Sequence, residues 1–288
     1  MTISAAPLPP PENVPPGFIV RRSGGVTLVV QDRWDEPLVR SRILTGTTGS
    51  TDARAELTGG RGSVSVHALP GAGDVALRRY RRGGLIGKIL IDRYLSGSRP
   101  LRELRILALA AARGVPVPEV VGASSIRAGL IWHRGRIATR LIPDSVTLPA
   151  FVGDNRKDMT LLAGVLERAG SAIRLMHDAG IDHADLNMNN LLVGGTGAVF
   201  IIDFDKATVH PGLGRAQRIR NLRRLLRSLR KLRAAGRPVE DDDFSMIIKG
   251  YADNDRGLIG ILEKATIRSR LLRVRSAMKG IFRIDARN

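Results

Sequence analysis

Residues 183–205 constrain this chain more than any other stretch. His183-Ala-Asp-Leu-Asn-Met-Asn-Asn190 sets an aspartate two residues after a histidine and an asparagine five residues after that aspartate. Thirteen residues beyond Asn190 comes Asp203-Phe-Asp205, entered through the apolar pair Ile201-Ile202. Between them, Leu191-Leu-Val193 and Val199-Phe-Ile-Ile202 read as a hairpin turned through Gly194-Gly-Thr-Gly197. A carboxylate and a carboxamide in one loop, with a second carboxylate at the end of a buried strand, are hard oxygen donors suited to a cation that holds phosphates. His-x-Asp alone is a weak signal, and Asp203-Phe-Asp205 alone also fits the Asp-x-Asp metal motif of a glycosyltransferase. The whole set at this spacing is far more restrictive.

The chain around it changes character once. From Phe18 to Tyr80 it reads as strands and turns, with β-type runs at Val26–Val30, Val64–Leu69 and Val75–Tyr80 and glycines at 59, 60, 62, 71 and 73. A basic loop, Arg81-Arg-Gly-Gly84, follows. Arg99 to Arg113 has helical periodicity, with Pro100 as an early helix residue and Gly114 as a stop. Ile126 to Leu141 reads as two strands joined at His133-Arg134-Gly135. After Pro143, Thr160 to Asp178 reads as one long helix with Leu161, Leu162, Val165, Leu166, Ile173, Leu175 and Met176 as apolar candidates. Past the hairpin the chain is helical and basic. The expected division is a disordered Pro-rich tail at 1–17, a strand-rich lobe at 18–143 and a helical lobe at 144–288, with a cleft between the lobes.

The net charge of +19 comes from 39 Arg and 7 Lys against 27 acidic residues. From Pro211 onward there are 20 basic and 8 acidic residues, a net of +12. Arginine's planar fork grips phosphate or carboxylate in two places, so nucleic acid, an anionic membrane and a polyphosphorylated substrate all fit this excess. Solvated arginine on helix surfaces fits it too. The absence of cysteine excludes disulfides, cysteine-zinc sites and thiol nucleophiles, and favours a reducing compartment. No apolar run approaches the roughly 18–20 residues that span a bilayer, and the N-terminus lacks the pattern of a signal peptide. The expected location is the cytoplasm, with any membrane met from its surface.

The 183–205 layout resembles the catalytic core of protein-kinase-like phosphotransferases. The resemblance implies an α+β, two-lobed fold: an N-lobe antiparallel sheet plus one helix, then a mostly helical C-lobe. It implies ATP and Mg²⁺ as cofactors. Asp185 would accept the proton of the attacking hydroxyl, Asn190 and Asp203 would hold the metal, and His183 would brace the loop. Gly60, Gly62 and Ser63 would lie over the nucleotide phosphates through backbone N–H groups. Val75-Ala-Leu-Arg78 aligns with the kinase strand that carries a lysine, so Arg78 would meet the phosphates and pair with Glu103. Arg78 could equally face outward from its strand, and Glu103 could be a solvated helix carboxylate. Two features depart from protein kinases. Asp205 stands in place of glycine, and the segment after Asp203 runs quickly through His210-Pro211-Gly212 into a basic helix with no Ala-Pro-Glu. A protein substrate is therefore disfavoured against a small molecule, sugar or glycolipid.

More narrowly, the chain resembles the 3-deoxy-D-manno-octulosonic acid (Kdo) kinases of the lipopolysaccharide core kinase group. The likeness rests on Leu77-Arg-Arg-Tyr-Arg-Arg-Gly-Gly-Leu-Ile-Gly-Lys88, Arg102-Glu-Leu104, Gly114-Val-Pro-Val-Pro118, Met176-His-Asp-Ala-Gly180, His183-Ala-Asp-Leu-Asn187 and Ile202-Asp-Phe-Asp205. It implies phosphorylation of a hydroxyl of Kdo, the 4-hydroxyl, on a lipid A precursor, at the cytoplasmic face of the inner membrane. Arg79, Arg81 and Arg82 would then hold the acceptor's carboxylate or phosphate, or would be solvated loop residues. The leucine stripe at 222, 225, 226, 229 and 232 is expected in the core, with the intervening arginines left for an anionic membrane surface. No metal cluster and no nucleic-acid partner are expected. The rival readings are a heptose kinase of the same group, a nucleotide-binding pseudokinase prompted by Arg78 and Asp205, and a basic nucleic-acid binder, which the 4% aromatic content disfavours.

Overall fold

The computed structural model describes residues 14–46, 55–59, 62–69, 73–80, 99–127 and 133–252. Of the Pro-rich stretch at 1–17, residues 1–13 lie outside the described residues. The described parts of Met1–Arg113, Val117–Ile142 and Phe204–Lys206 form one compact unit, and those of Gly114–Pro116, Pro143–Asp203 and Ala207–Asn288 form a second.

The first unit is built on a seven-stranded sheet. Its strands are β1 (Phe18–Ser23), β2 (Val26–Gln31), β3 (Ala55–Gly59), β4 (Gly62–Leu69), β5 (Gly73–Arg79), β6 (Val120–Arg127) and β7 (His133–Arg140). Their order is β1-β2-β6-β7-β5-β4-β3, and every neighbouring pair is antiparallel. Side chains alternate across a strand, so Val75 and Leu77 of β5 enter a core with Val30, Leu69, Val121 and Ala138. Ala76 and Arg78 take the other face.

Two helices accompany the sheet, α1 (Asp35–Ser41) and α2 (Arg99–Ala112). The sequence reading expected only the second. α1 is one short segment whose Leu38 joins the sheet core, and its signal was present in Asp35 and Glu36 just ahead of Pro37. α2 buries Pro100, Glu103, Leu104, Leu107 and Ala110, a helical spacing. Gly114, at φ +73°, follows its end. The turn expected at His133-Arg134-Gly135 is misplaced. These residues open β7, and the connection falls at 128–132, outside the described residues. Gly135 there serves a strand, where its carbonyl accepts the Tyr80 N–H at 3.1 Å.

The second unit is mostly helical: α3 (Leu148–Asp154), α4 (Met159–Asp178), α5 (Arg215–Ala234) and α6 (Asp241–Ala252). Short strands complete it. β8 (Val146–Thr147), β10 (Leu191–Val193) and β11 (Val199–Ile201) form a sheet ordered β11-β10-β8, and β9 (Ile181–Asp182) pairs with β12 (Thr208–Val209). Asp158 caps α4 by accepting the Leu161 N–H at 2.9 Å. Leu162, Val165, Leu166, Ile173 and Met176 of α4 are buried, whereas Leu161 and Leu175 face out, one step off the buried stripe. α4 and α6 touch backbone to backbone. A Cβ on Gly170 would lie 2.0 Å from the Ile247 carbonyl oxygen, and one on Gly250 would lie 1.9 Å from that of Glu167. Only glycine permits this approach. Leu222, Leu225, Leu226 and Leu229 of α5 are buried, as their spacing predicts, and Leu232 is half-buried.

Candidate active site

In the second unit β9 ends at Asp182, and the chain then turns sharply. His183 is fully buried, and its Nε2 donates to the Ile202 carbonyl at 3.0 Å. Burial lowers the His183 pKa from its ordinary value, so a neutral ring makes this bond. Ile202 in turn donates its N–H to the Asn190 carbonyl at 3.0 Å. Both ends of the 183–190 loop are thus fastened to the residue that precedes Asp203. The carboxylates of Asp185 and Asp203 both lie close enough to favour the charged form of His183.

The loop is also tied internally. The Asp185 carbonyl accepts the side-chain amides of Asn187 at 2.9 Å and Asn190 at 3.1 Å. Asn187 Oδ1 accepts the Asn189 N–H at 3.0 Å, and Ser228 Oγ accepts the Met188 N–H at 3.2 Å. Ala184 at φ +59° and Asp203 at φ +67° hold left-handed backbone without being glycine. Such a conformation costs roughly 1–2 kcal/mol per residue, and it persists where surrounding bonds impose it.

Asn190 commits its amide nitrogen to Asp185, which leaves its carbonyl oxygen as the atom that could serve as a ligand. One carboxamide oxygen and the Asp203 carboxylate fit a hard cation whose remaining ligands are phosphate oxygens and water. Among the described residues no three His, Cys, Asp or Glu side chains converge to form a self-sufficient metal cage.

In the first unit Arg78 reaches from β5 to Glu103 on α2, with Nη2 2.5 Å from Oε2. Glu103 is buried and also accepts from the Tyr80 hydroxyl. Burial beside this carboxylate pushes the Tyr80 phenol well above its ordinary pKa. The Arg78 guanidinium lies 4.9 Å from the Tyr80 ring centroid and that of Arg99 lies 5.8 Å from it. Arg99 grips the Asp205 carboxylate with both Nε, at 3.0 Å, and Nη2, while Arg102 donates to the Asp205 carbonyl at 2.6 Å. Strand alternation places Arg79 on the face of β5 opposite Arg78. Gly62 opens β4, where it pairs with Gly59, and Ser63 pairs with Thr58. Gly60, Arg81 and Arg82 lie outside the described residues.

Sequence reasoning singled out neither Tyr80 nor Arg99, and it gave Asp205 no partner, reading it as a departure from protein kinases, as half of an Asp-x-Asp pair and as part of the family likeness. Tyr80 stood in a quoted segment without a role. Nothing in the spacing links Arg99 to Asp205, 106 residues away.

The profile of the lipopolysaccharide kinase (Kdo/WaaP) family matches residues 50–251. The 3-deoxy-D-manno-octulosonic acid kinase of Stenotrophomonas maltophilia strain K279a is 38% identical over 209 residues, covering 69% of this chain and 79% of the relative. That of Vibrio vulnificus strain YJ016 is 34% identical over 200 residues, covering 67% and 80%. A solved structure of WaaP in complex with acyl carrier protein aligns with a TM-score of 0.50 at 17% identity, over 84% of this chain and 98% of the other, a likeness of fold. The chain belongs to the lipopolysaccharide kinase (Kdo/WaaP) family. Its fold is protein-kinase-like, and it is a phosphotransferase that uses a hydroxyl acceptor.

Proposed function

We propose that this enzyme transfers the γ-phosphoryl group of ATP to the 4-hydroxyl of Kdo on a lipid A precursor, with Mg²⁺. The observation that carries the reading is the double tether of the 183–190 loop to Ile202, which holds Asp185 and Asn190 against the residue that leads into Asp203. The names of the relatives supply the acceptor.

In this reading Asp185 orients the acceptor hydroxyl and takes its proton as the oxygen bonds to the γ-phosphorus and the bond to the ADP oxygen breaks. Asn190 Oδ1 and the Asp203 carboxylate would hold Mg²⁺, which would neutralise charge on the phosphates when bound. Arg78, positioned by Glu103, meets the α- and β-phosphates as a fixed fork. Gly60, Gly62 and Ser63 offer backbone N–H groups to the same phosphates. Of the three arginines considered for the acceptor's anionic groups, Arg81 and Arg82 are assigned to them, and Arg79, on the β5 face opposite Arg78, is left out.

No helix among the described residues is long and apolar enough to cross a membrane. Arg223, Arg227 and Lys231 are exposed on α5 opposite its buried leucines, a face suited to the anionic inner leaflet that carries the acceptor. Mass spectrometry tests the acceptor: a Kdo-bearing lipid A precursor incubated with enzyme, ATP and Mg²⁺ should gain one phosphate, and fragmentation should place it at the 4-hydroxyl. Transfer to a heptose-bearing acceptor instead would reassign the substrate.

A further inference from the structure

Asp182 comes just before the loop whose roles are proposed above, and it has no role in that chemistry. It is buried, yet one of its oxygens makes two hydrogen bonds. Oδ1 accepts the N–H of Ala184 at 3.0 Å and an N–H of Asn221, from α5, at 3.1 Å. Asn221 is fully buried. Its Nδ2 also lies 3.2 Å from Nε2 of His177 on α4, and Nδ1 of His177 lies 2.8 Å from the Tyr251 hydroxyl on α6.

The protons in this chain can be assigned from its end. A carboxylate only accepts, so Asn221 must turn its NH₂ group toward Asp182. That NH₂ has two hydrogens, and the second points to His177 Nε2, which must then be the bare nitrogen. The proton of His177 is left on Nδ1, where it donates to the Tyr251 oxygen. A neutral ring is required, and burial followed by the neighbouring Arg218 pushes the His177 pKa down to about 3. Arg224 donates to the remaining Asn221 atom, Oδ1, at 3.2 Å. Both hydrogens and the oxygen of the Asn221 amide therefore have partners, which fixes its orientation.

We propose that Asp182, oriented by the Asn221–His177–Tyr251 chain, is a positioning residue that holds the left-handed backbone of Ala184 and thereby aims Asp185. The proposal rests on the assignment of Asp185 as the base. Ala184 is the residue between His183 and Asp185, and its φ of +59° is where the chain reverses. An aspartate that accepts the N–H two residues on forms a local turn by itself. Here a buried amide, together with the guanidinium groups of Arg220, 3.4 Å from Oδ2, and Arg224, 3.9 Å from Oδ1, fixes that aspartate from outside, which links the loop to three helices.

Two measurements test this in the full-length enzyme. The first is amide hydrogen exchange at Ala184. The second is kcat and KM for ATP with the Kdo-bearing lipid A precursor as acceptor. Asn221→Ser should speed exchange at Ala184 at least tenfold and lower kcat about 10- to 100-fold, with KM for ATP within about threefold. Adding Ala184→Gly should restore at least fivefold of kcat, because glycine takes this φ without an imposed bond. Asp182→Ala tests the same bond from the other side should Asn221→Ser fail to fold. A folded variant with unchanged exchange and kcat within threefold overturns the proposal. So does a loss of kcat that Ala184→Gly leaves untouched, since that marks general destabilisation. If the wild-type enzyme ignores the Kdo acceptor, the functional reading fails, while Ala184 exchange still decides the hydrogen-bond chain.

Discussion

Asp205 and Arg78, the two departures from the protein-kinase pattern, meet on the same helix. Arg99 and Arg102 of α2 hold Asp205, and Glu103 of α2 holds Arg78, with the guanidinium groups of Arg78 and Arg99 both near the Tyr80 ring, 4.9 and 5.8 Å from its centroid. A lysine could pair with Glu103 but could not spread a planar cation over Tyr80. Arg78→Lys should therefore raise KM for ATP more than it lowers kcat, by about tenfold, in steady-state kinetics. An unchanged KM would remove Arg78 from the nucleotide site. Asp205→Gly loses an ion pair that is partly open to solvent, so its cost to stability should be about 1 kcal/mol. Chemical denaturation measures it. The motif offers Asp185, Asn190 and Asp203 as candidates because their spacing is local. It was silent on Tyr80, Arg99 and Asn221, whose partners are set by packing of distant segments. Asp182 sat next to the motif and was passed over because a lone aspartate before a loop has no signature.

At the scale of elements, helix packing carries sharp expectations. Gly170→Ala or Gly250→Ala must part α4 from α6, because the new methyl meets backbone rather than a side chain that can turn away. Either change should cost at least ~3 kcal/mol, read as a lower denaturation midpoint. His177 links the same helices and stays neutral when folded. Its folded pKa of about 3 lies below the unfolded value near 6.5, so the unfolded chain binds more protons between those limits. Its contribution is complete above pH ~6.5 and is lost as pH falls toward ~3, at up to about 1.4 kcal/mol per pH unit. Denaturation curves from pH 4 to 7 should show that slope, and His177→Gln should flatten it. The exposed cations of α5 make a different claim. Replacing Arg223, Arg227 and Lys231 by Gln should weaken binding to vesicles rich in anionic lipid at low salt, with catalysis on a detergent-dispersed acceptor intact. Vesicle binding equal to wild type would assign those residues to ordinary solvation.

For the molecule as a whole, strand-then-helix order was legible because period-two and helical patterns hold over long stretches of the sequence. The hairpin β10–β11, the helices α2 and α4 and the buried leucines of α5 all follow from it. What escaped was short or nonlocal. α1 is seven residues, the two-residue strands β8, β9 and β12 are defined by their partners alone, and the β6–β7 turn was drawn to Gly135 because glycine usually marks turns. In the proposed mechanism the 183–190 loop performs hydroxyl-directed phosphoryl transfer with Asp185 as its base. Single-turnover transfer from γ-labelled ATP to the Kdo-bearing lipid A precursor, comparing wild type with Asp185→Asn, tests it most directly. The variant should bind ATP within about threefold of wild type and transfer phosphate at least 10²-fold more slowly. Transfer by Asp185→Asn at a near-normal rate would contradict it.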